Sequence, residues 1–262
     1  MGVDLVVVNY RTPGDAQKFV DSVISHPGAA GYFTVWIVDV DPIDRCDSLV
    51  ERLAVGGVRG EYIPVSYNCG YGRAVNMAVA MGNEPTIGIF NADTELVGDI
   101  VFACEESLDA HSDWGVIGPK QVTKGGRITH AGIFGTQTSP KHRGWKEPDR
   151  GQFSDIEEAI YVSGSALFMR RAIWKLMADC PQYKAAQPGT WGALLETPHY
   201  YEESWLCNHL RHHGYKVIYK GDATMVHEWH KASGHGGWAD RQMQGSREIF
   251  RATCRAHGIE SE

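Results

Sequence analysis

The first half of this chain alternates between apolar runs typical of buried strands and segments whose apolar residues recur at helical spacing. The apolar, mostly β-branched runs occupy residues 3–8, 33–38, 61–65 and 86–90. The segments with helical spacing lie between them, at residues 16–24, 44–53 and 74–81. The order βαβαβαβ is typical of a doubly wound parallel sheet, so the sequence predicts an α/β fold.

Three of these predicted strands end in polar residues: Asn9 and Tyr10, Asp39 and Asp41, and Asn91 and Asp93. The carboxyl ends of parallel strands meet at one edge of a sheet, and ligands bind there, so we expect a site at this edge. The Asp93 carboxylate is a hard oxygen ligand of the kind that Mg²⁺ and Mn²⁺ share with substrate phosphates. The alternative is that Asp93 only caps a helix that begins near Leu96.

Composition limits the class of protein. With 262 residues and 43% hydrophobic residues, the chain is long enough for one large α/β domain. Its formal net charge of −7 disfavours electrostatic binding to nucleic acid or an anionic membrane. No apolar run approaches the roughly 20 residues of a membrane helix, and the N-terminus resembles no signal peptide. We therefore expect a cytoplasmic protein whose six cysteines, none in a Cys-x-x-Cys pair, are reduced thiols.

After residue 100 the alternation is less regular. The pattern predicts helices at residues 101–110, 171–178, 202–213 and 240–256, and strands at 114–118, 161–169 and 216–219. Residues 136–158 read as a polar surface loop or lid, and residues 181–198 as irregular. No clean boundary divides the chain, which indicates a single domain.

Three short motifs suggest other chemistries, but each is incomplete. Gly70-Tyr71-Gly72 starts like a dinucleotide-binding turn, but Val75 stands at the third glycine position. His227-Glu228-Trp229-His230 places its second histidine one residue too early for a zinc protease. Gly164-Ser165 lacks the G-x-S-x-G frame of a nucleophile elbow, since Leu167 stands at the last position.

Eight segments in order carry a resemblance to one family: VVVNYRTP (6–13), WIVDVDP (36–42), NCGYGRAVNMAV (68–79), IFNADTEL (89–96), THAGIFG (129–135), VSGSALFMRRAIW (162–174), YYEESWLCNHLRHHGYKVIY (200–219) and VHEWHKASG (226–234). Together they resemble the inverting glycosyltransferases of family 2, and are most similar to the rhamnosyltransferase-like branch. The resemblance implies a GT-A fold, with a mostly parallel Rossmann-like sheet and a mixed, loop-rich C-terminal half. Residues 1–98 would bind the nucleotide-sugar, and residues 99–262 would bind the acceptor and carry the catalytic residues.

The resemblance also implies roles for individual residues. The donor, a nucleoside-diphosphate sugar, would contact Asn9, Tyr10, Arg11, Asp39, Asp41, Asn68, Gly70, Tyr71, Arg73, Asn76, Asn91, Ala92 and Asp93. Tyr10 offers a stacking face and Asp39 an acceptor for the base, while Arg73 and the N–H groups around residues 70–72 suit the diphosphate. Asp93, His227 and Asn91 would hold Mn²⁺ or Mg²⁺. Glu203, with Glu202 beside it, would be the general base for the hydroxyl of a glycan, lipid-linked or protein acceptor.

The chain departs from the family pattern at several positions. Asn91 replaces the first aspartate of the metal motif, Glu203 stands where the family has aspartate, and Trp205 and His209 replace an Asp and an Arg. Two other functions therefore stay open: a nucleotidyltransferase that makes sugar nucleotides, and a silent sugar-nucleotide-binding relative. We also expect the glycine-rich loop 230–238 to order when the donor binds.

Overall fold

Strand and helix alternate through the first half of the chain as predicted. The computed structural model describes residues 2–137, 139–228 and 237–261, with residues 237–240 described by their backbone alone. The first-half elements are β1 (Val3–Tyr10), α1 (Pro13–Ile24), β2 (Phe33–Val40), α2 (Ser48–Val55), β3 (Arg59–Val65), α3 (Tyr71–Met81) and β4 (Thr86–Asn91). Each of them corresponds to a predicted strand or helix.

The second half mixes short strands with helices. Its elements are β5 (Thr94–Glu95), α4 (Ile100–Ala110), β6 (Trp114–Val122), β7 (Ile128–His130), β8 (Ile133–Thr136), β9 (Ser139–His142), β10 (Ile156–Glu158), β11 (Ala166–Arg170), α5 (Arg171–Ala178), α6 (Pro181–Ala186), α7 (Glu202–His212), β12 (Lys216–His227) and α8 (Gly237–His257). No helix among the described residues is long and apolar enough to cross a bilayer.

One large sheet organises the molecule, with the strand order β10-β12-β6-β11-β4-β1-β2-β3. Strands β1 to β4 are parallel, β12 is parallel to β6, and β11 is antiparallel to its neighbours β4 and β6. Helices α1, α2 and α4 pack on one face, and α3, α5 and α7 on the other. This confirms the predicted mostly parallel, doubly wound sheet with a mixed second half.

The lengths of several second-half strands differ from the predictions. The predicted strand 216–219 continues to His227, because its later residues pair with β6 across a register shift and then with β5. A bulge of this kind interrupts the alternation of side chains on which the prediction relied. The predicted strand 161–169 is reduced to Ala166–Arg170, and β6 extends to Val122.

Two segments predicted as irregular contain regular structure. Residues 181–198 begin with α6, whose first residue is Pro181; proline suits the first turn of a helix because its missing N–H would be unpaired there anyway. Residues 136–158 include β9 and β10, so this segment is not a plain loop. The last helix starts at Gly237, before the predicted residue 240. All six cysteines are free, as expected.

A buried ion pair joins the start of β1 to the start of α5. The Arg171 guanidinium donates to Asp4 Oδ2 at 2.6 Å, and the side chains of Arg171 and Asp4 are 7% and 1% exposed. Arg171 also donates to the carbonyl oxygens of Val79 and Glu84, while Asp4 accepts from Trp36 Nε1 and Glu84 N. These additional hydrogen bonds compensate both charges for their loss of water, which a buried pair requires in order to be tolerated.

Candidate active site

A cavity of about 390 Å³ opens where β1 and β4 end, on the edge of the sheet that the sequence predicts. This volume suits a small-molecule ligand. Ten of the predicted site residues line it: Tyr10, Asn68, Gly70, Tyr71, Asn91, Ala92, Asp93, Glu202, Glu203 and His227. Residues distant in the sequence are thus brought to one place by the sheet order and by the approach of β12 to the end of β4.

Strand pairing brings Asp93 and His227 together. β5, directly after Asp93, pairs with the end of β12, where His227 lies opposite Thr94, and Glu228 N donates to the Asp93 carbonyl at 3.0 Å. His227 Nε2 lies 3.5 Å from Asp93 Oδ1, and the two side chains are 8% and 9% exposed. The helix-cap interpretation of Asp93 is wrong, because α4 begins only at Ile100, after Asp99.

The donor set at this point fits a divalent cation. Two ligands that share one cation, each about 2.1 Å from it, lie within a few ångströms of each other, as these two atoms do. The buried His227 Nδ1 has no hydrogen-bond partner among the described residues. No hydrogen bond from Nδ1 therefore holds the ring in an orientation that would turn Nε2 away from Asp93. The Asn91 side chain, on the same wall, is a weaker oxygen donor than the family's aspartate.

The N-terminus of α3 forms a second wall. Gly70 has a φ of +83°, and a Cβ at this position would lie 2.6 Å from the Thr197 carbonyl oxygen, so the corner requires glycine. Asn68 Oδ1 accepts from Gly70 N at 3.1 Å, which fixes the turn that leads into the helix. Tyr71 OH donates to the Gly164 carbonyl at 2.7 Å and thereby ties α3 to the opposite side of the cavity.

The carboxylate pair begins α7 on the third wall. Tyr200 and Tyr201, which precede it, both have left-handed backbone conformations, with φ values of 67° and 74°. Glu202 is 3% exposed and packs against Gly72, whereas Glu203 is partly exposed and packs beside Gly164.

The charges of this wall interact with each other. Burial, together with the nearby Glu203 charge, raises the pKa of Glu202. Burial and the charges of Glu202, Glu203 and Asp93 raise the pKa of Tyr71. The Tyr71 hydroxyl therefore stays protonated, as its hydrogen bond to the Gly164 carbonyl requires.

The raised pKa of Glu202 leads to a prediction about stability. The folded state holds this proton more tightly than the unfolded state, in which the pKa is about 4.3. Stability therefore falls as the pH rises from that value through the raised one. Since glutamine cannot ionise, Glu202→Gln should be more stable than wild type at pH 8 by roughly 1–3 kcal/mol, with the difference vanishing near pH 4.

Urea unfolding of both proteins between pH 4 and 8 measures this difference. Glu51→Gln, an exposed change on α2, is the matched control and should show no trend with pH. A constant difference between Glu202→Gln and wild type across this range would contradict the assignment.

Six predicted donor residues do not line the cavity: Asn9, Arg11, Asp39, Asp41, Arg73 and Asn76. Asp39 is fully buried and accepts from Asn9 Nδ2, Cys46 N and Tyr62 OH, so its carboxylate holds the loop before α2. Arg11 and Asp41 form an ion pair with each other at the surface.

The other two of these residues face residues 187–198. Arg73 Nε lies 3.9 Å from Glu196 Oε2, and the Arg73 guanidinium lies over the Trp191 ring. Asn76 donates to the Leu194 carbonyl and accepts from Leu194 N, which fixes this segment against α3. Both residues thus support the wall of the cavity from behind.

Several cavity residues are absent from the sequence predictions: Thr129, His130, His142, Trp145, Tyr161, Ser163 and His199. Burial lowers the pKa of His130 to about 3, so its ring is neutral at neutral pH. His142 and Trp145 form an aromatic pair with ring centroids 5.7 Å apart. Position in or next to the family-like segments 129–135, 162–174 and 200–219 could have indicated Thr129, His130, Tyr161, Ser163 and His199, but not His142 and Trp145. The predicted loop 230–238 lies largely outside the described residues.

Comparison with known proteins identifies the family. The model of "Glycosyl transferase family 2" matches residues 4–177, so the chain belongs to this family and is a glycosyltransferase. No curated protein matches its sequence.

Solved structures share the fold at low identity. TarS of S. aureus (residues 1–349, with UDP-GlcNAc) is 15% identical with a TM-score of 0.62, over 100% of this chain and 68% of that one. The mannosyltransferase PcManGT of Pyrobaculum calidifontis, in complex with GDP-Man and Mn²⁺, is 15% identical with a TM-score of 0.61, over 97% and 64%. GalNAc-T7 with UDP, GalNAc and Mn²⁺ is 11% identical with a TM-score of 0.67, over 98% and 48%. These likenesses support the GT-A fold.

Proposed function

We propose that this protein transfers a sugar from a nucleoside-diphosphate sugar to an acceptor hydroxyl, with inversion at the anomeric carbon and with a divalent cation. The observation that carries the proposal is the meeting of Asp93 and His227, 3.5 Å apart, in the cavity that also holds Glu202 and Glu203. The cavity thus offers both metal ligands and a carboxylate base.

The donor would lie along the sheet edge. Tyr10 lines the cavity at the end of β1, where its ring can stack on a nucleobase. The diphosphate would lie near Asp93 and the N-terminus of α3, whose backbone N–H groups favour an anion. A cation held by Asp93 and His227, with Asn91 as a further donor, would neutralise the diphosphate and stabilise it as a leaving group. The nucleotide and sugar complexes of TarS and PcManGT support a donor of this class.

The acceptor would lie between α7 and the segment of residues 129–145. The partly exposed Glu203 would accept the proton of the attacking hydroxyl, on the side of the sugar opposite the diphosphate, which produces inversion. Burial raises the pKa of Glu202, so this carboxyl group keeps its own proton at a pH where an ordinary glutamate is ionised, and a protonated carboxyl group cannot accept another proton. The aromatic rings of His142, Trp145 and Tyr161 suit the apolar face of an acceptor sugar.

Binding of UDP and GDP with and without Mn²⁺ tests the donor site. We expect Asp93→Asn and His227→Ala each to weaken Mn²⁺-dependent binding at least about tenfold, because each removes a ligand of the cation. Asp44→Asn, an exposed change in the loop between β2 and α2, is the matched control and should bind normally. Unchanged thermal unfolding of the variants shows that the fold is intact. Full binding in EDTA would contradict the metal site.

The product released from a sugar nucleotide separates the possible functions. A glycosyltransferase releases nucleoside diphosphate, a nucleotidyltransferase releases pyrophosphate, and a silent binder releases neither. We expect nucleoside diphosphate, in a reaction that depends on Mn²⁺ or Mg²⁺. Pyrophosphate as the product would overturn the proposed function.

A further inference from the structure

A second group of metal-ligating side chains lies outside this cavity, where α6, α7 and α8 meet. Cys180 stands directly before α6, His209 lies on α7, and His257 ends α8. One ligand atom from each residue can be chosen so that all three lie within 4.8 Å of one another. Cys180 and His209 are buried, and His257 is partly exposed.

His209 has an unusual environment for a polar side chain. It is fully buried, and neither ring nitrogen has a hydrogen-bond partner among the described residues. Its ring stacks on Trp205, with centroids 4.7 Å apart, and contacts Tyr183. Buried polar atoms are nearly always paired, and an unpaired one costs about 1–3 kcal/mol. A cation bound to one nitrogen would give that atom its partner.

His257 is oriented for metal binding. Its Nδ1 lies 3.3 Å from the Thr253 carbonyl oxygen, which can only accept, so Nδ1 is the protonated nitrogen. Nε2 then carries the free lone pair, and it lies 3.8 Å from Cys180 Sγ. A hydrogen bond from the second ring nitrogen to a carbonyl is the usual support of a ligating histidine.

The distance between Cys180 Sγ and His257 Nε2 suits zinc. In a tetrahedral site with Zn–S about 2.3 Å and Zn–N about 2.0–2.1 Å, sulfur and nitrogen lie roughly 3.5 Å apart. The observed 3.8 Å between Cys180 Sγ and His257 Nε2 needs only a small adjustment. Burial also lowers the pKa of His209 to about 3, so this ring is neutral, as a ligand must be.

We propose that Cys180, His209 and His257 bind one Zn²⁺ ion, with water in the fourth position. On binding, Cys180 releases its thiol proton to solvent and a sulfur–zinc bond forms. One thiolate and two imidazoles prefer zinc to manganese, whereas the pair of Asp93 and His227, which has a carboxylate and no sulfur, is the better Mn²⁺ site. The chain would therefore hold two different cations in two places.

The position of this site indicates a structural role. The zinc would join three helices that the small apolar cluster around Trp205 and Phe250 already packs together. α7 carries Glu202 and Glu203 at its other end, and α8 contributes Gln242 to the cavity and a hydrogen bond from His199 N to Ser246. The ion would thus hold α7 and α8 in place behind the wall of the cavity that carries Glu202 and Glu203.

Cobalt substitution tests the site without any assay of transfer. Co²⁺ bound by a thiolate absorbs through sulfur-to-metal charge transfer, which the Asp93–His227 pair cannot produce because it has no sulfur. We expect the reduced, full-length chain to show this band at one Co²⁺ per chain. Zn²⁺ should abolish the band, and Mn²⁺ should leave it unchanged, in line with their relative affinities. Zn²⁺ should also raise the temperature of thermal unfolding.

Variants identify the ligands. Cys180→Ser should remove the band, and His257→Gln should weaken Co²⁺ binding roughly 100-fold or more, since even second-shell changes cost 10–100-fold. Cys69→Ser and His212→Gln are matched controls that should behave as wild type. His257 is only partly buried, so its variant should fold, which circular dichroism checks. A folded wild type without the band, or a band that survives Cys180→Ser, would overturn the proposal and leave the proposed transferase function untouched.

Discussion

Glu203→Gln is expected to lower the rate of sugar transfer by roughly 10²–10⁴-fold while the affinity for nucleoside diphosphate stays near the wild-type value. Glutamine keeps the size of the side chain but cannot accept the proton of the acceptor hydroxyl. Glu203 is not one of the proposed metal ligands, so donor binding should persist. Single-turnover transfer and nucleotide titration, measured on the same preparation, separate the two effects.

Glu202→Gln is the matched control for this experiment. The sequence predicts that the two side chains diverge at the start of the helix, about 100° apart. In the structure both line one cavity, but Glu202 is buried against Gly72 and Glu203 is partly exposed. We therefore expect Glu202→Gln to reduce transfer much less. Loss of turnover in Glu202→Gln alone would exchange the two roles, and full activity of both variants would exclude a carboxylate base on α7.

Arg171→Met is expected to destabilise the protein by roughly 3–5 kcal/mol, because it leaves the Asp4 carboxylate buried and unpaired. Urea unfolding monitored by circular dichroism measures the loss. Lys175→Met, an exposed change on the same helix, is the matched control and should stay within about 0.5 kcal/mol of wild type.

The double variant Asp4→Leu/Arg171→Met provides a further check. Removing both charges should recover part of the stability lost in the single variant. The recovery should be incomplete, because Trp36 Nε1 and Glu84 N lose their acceptor. Equal stability of the wild type and Arg171→Met would show that the ion pair contributes nothing.

The sequence predicts the first half of the fold well because its strands and helices keep regular apolar periods. The second half is harder, because its strands are short, bulged or antiparallel, and their pairing depends on distant segments. β12 shows the difficulty: its residues 217–221 are buried without a break, alternation begins only after them, and this later part carries His227 to the end of β4. Only the order of the family-like motifs placed His227 in the predicted site.

Site prediction was limited in the same way. A polar residue at a strand end was expected to face the ligand, yet Asp39 turns into a buried hydrogen-bond network with Asn9 and Tyr62. The sequence showed the strand end but not the partners that satisfy its carboxylate. Cys180, His209 and His257 are far apart in the chain and form no recognisable metal spacing. Only tertiary packing brings them together.

The corner formed by Tyr200 and Tyr201 has a thermodynamic consequence. A left-handed backbone costs a residue with a side chain roughly 1–2 kcal/mol, and here two consecutive tyrosines adopt it. Together this is a sizeable part of the 5–15 kcal/mol that typically separates a folded domain from its unfolded state. Tyr200 lines the cavity and Tyr201 stacks on Phe250, so each position needs an aromatic side chain that glycine could not supply. The corner therefore lowers the free energy of unfolding, and it sets the direction in which α7 presents its carboxylates.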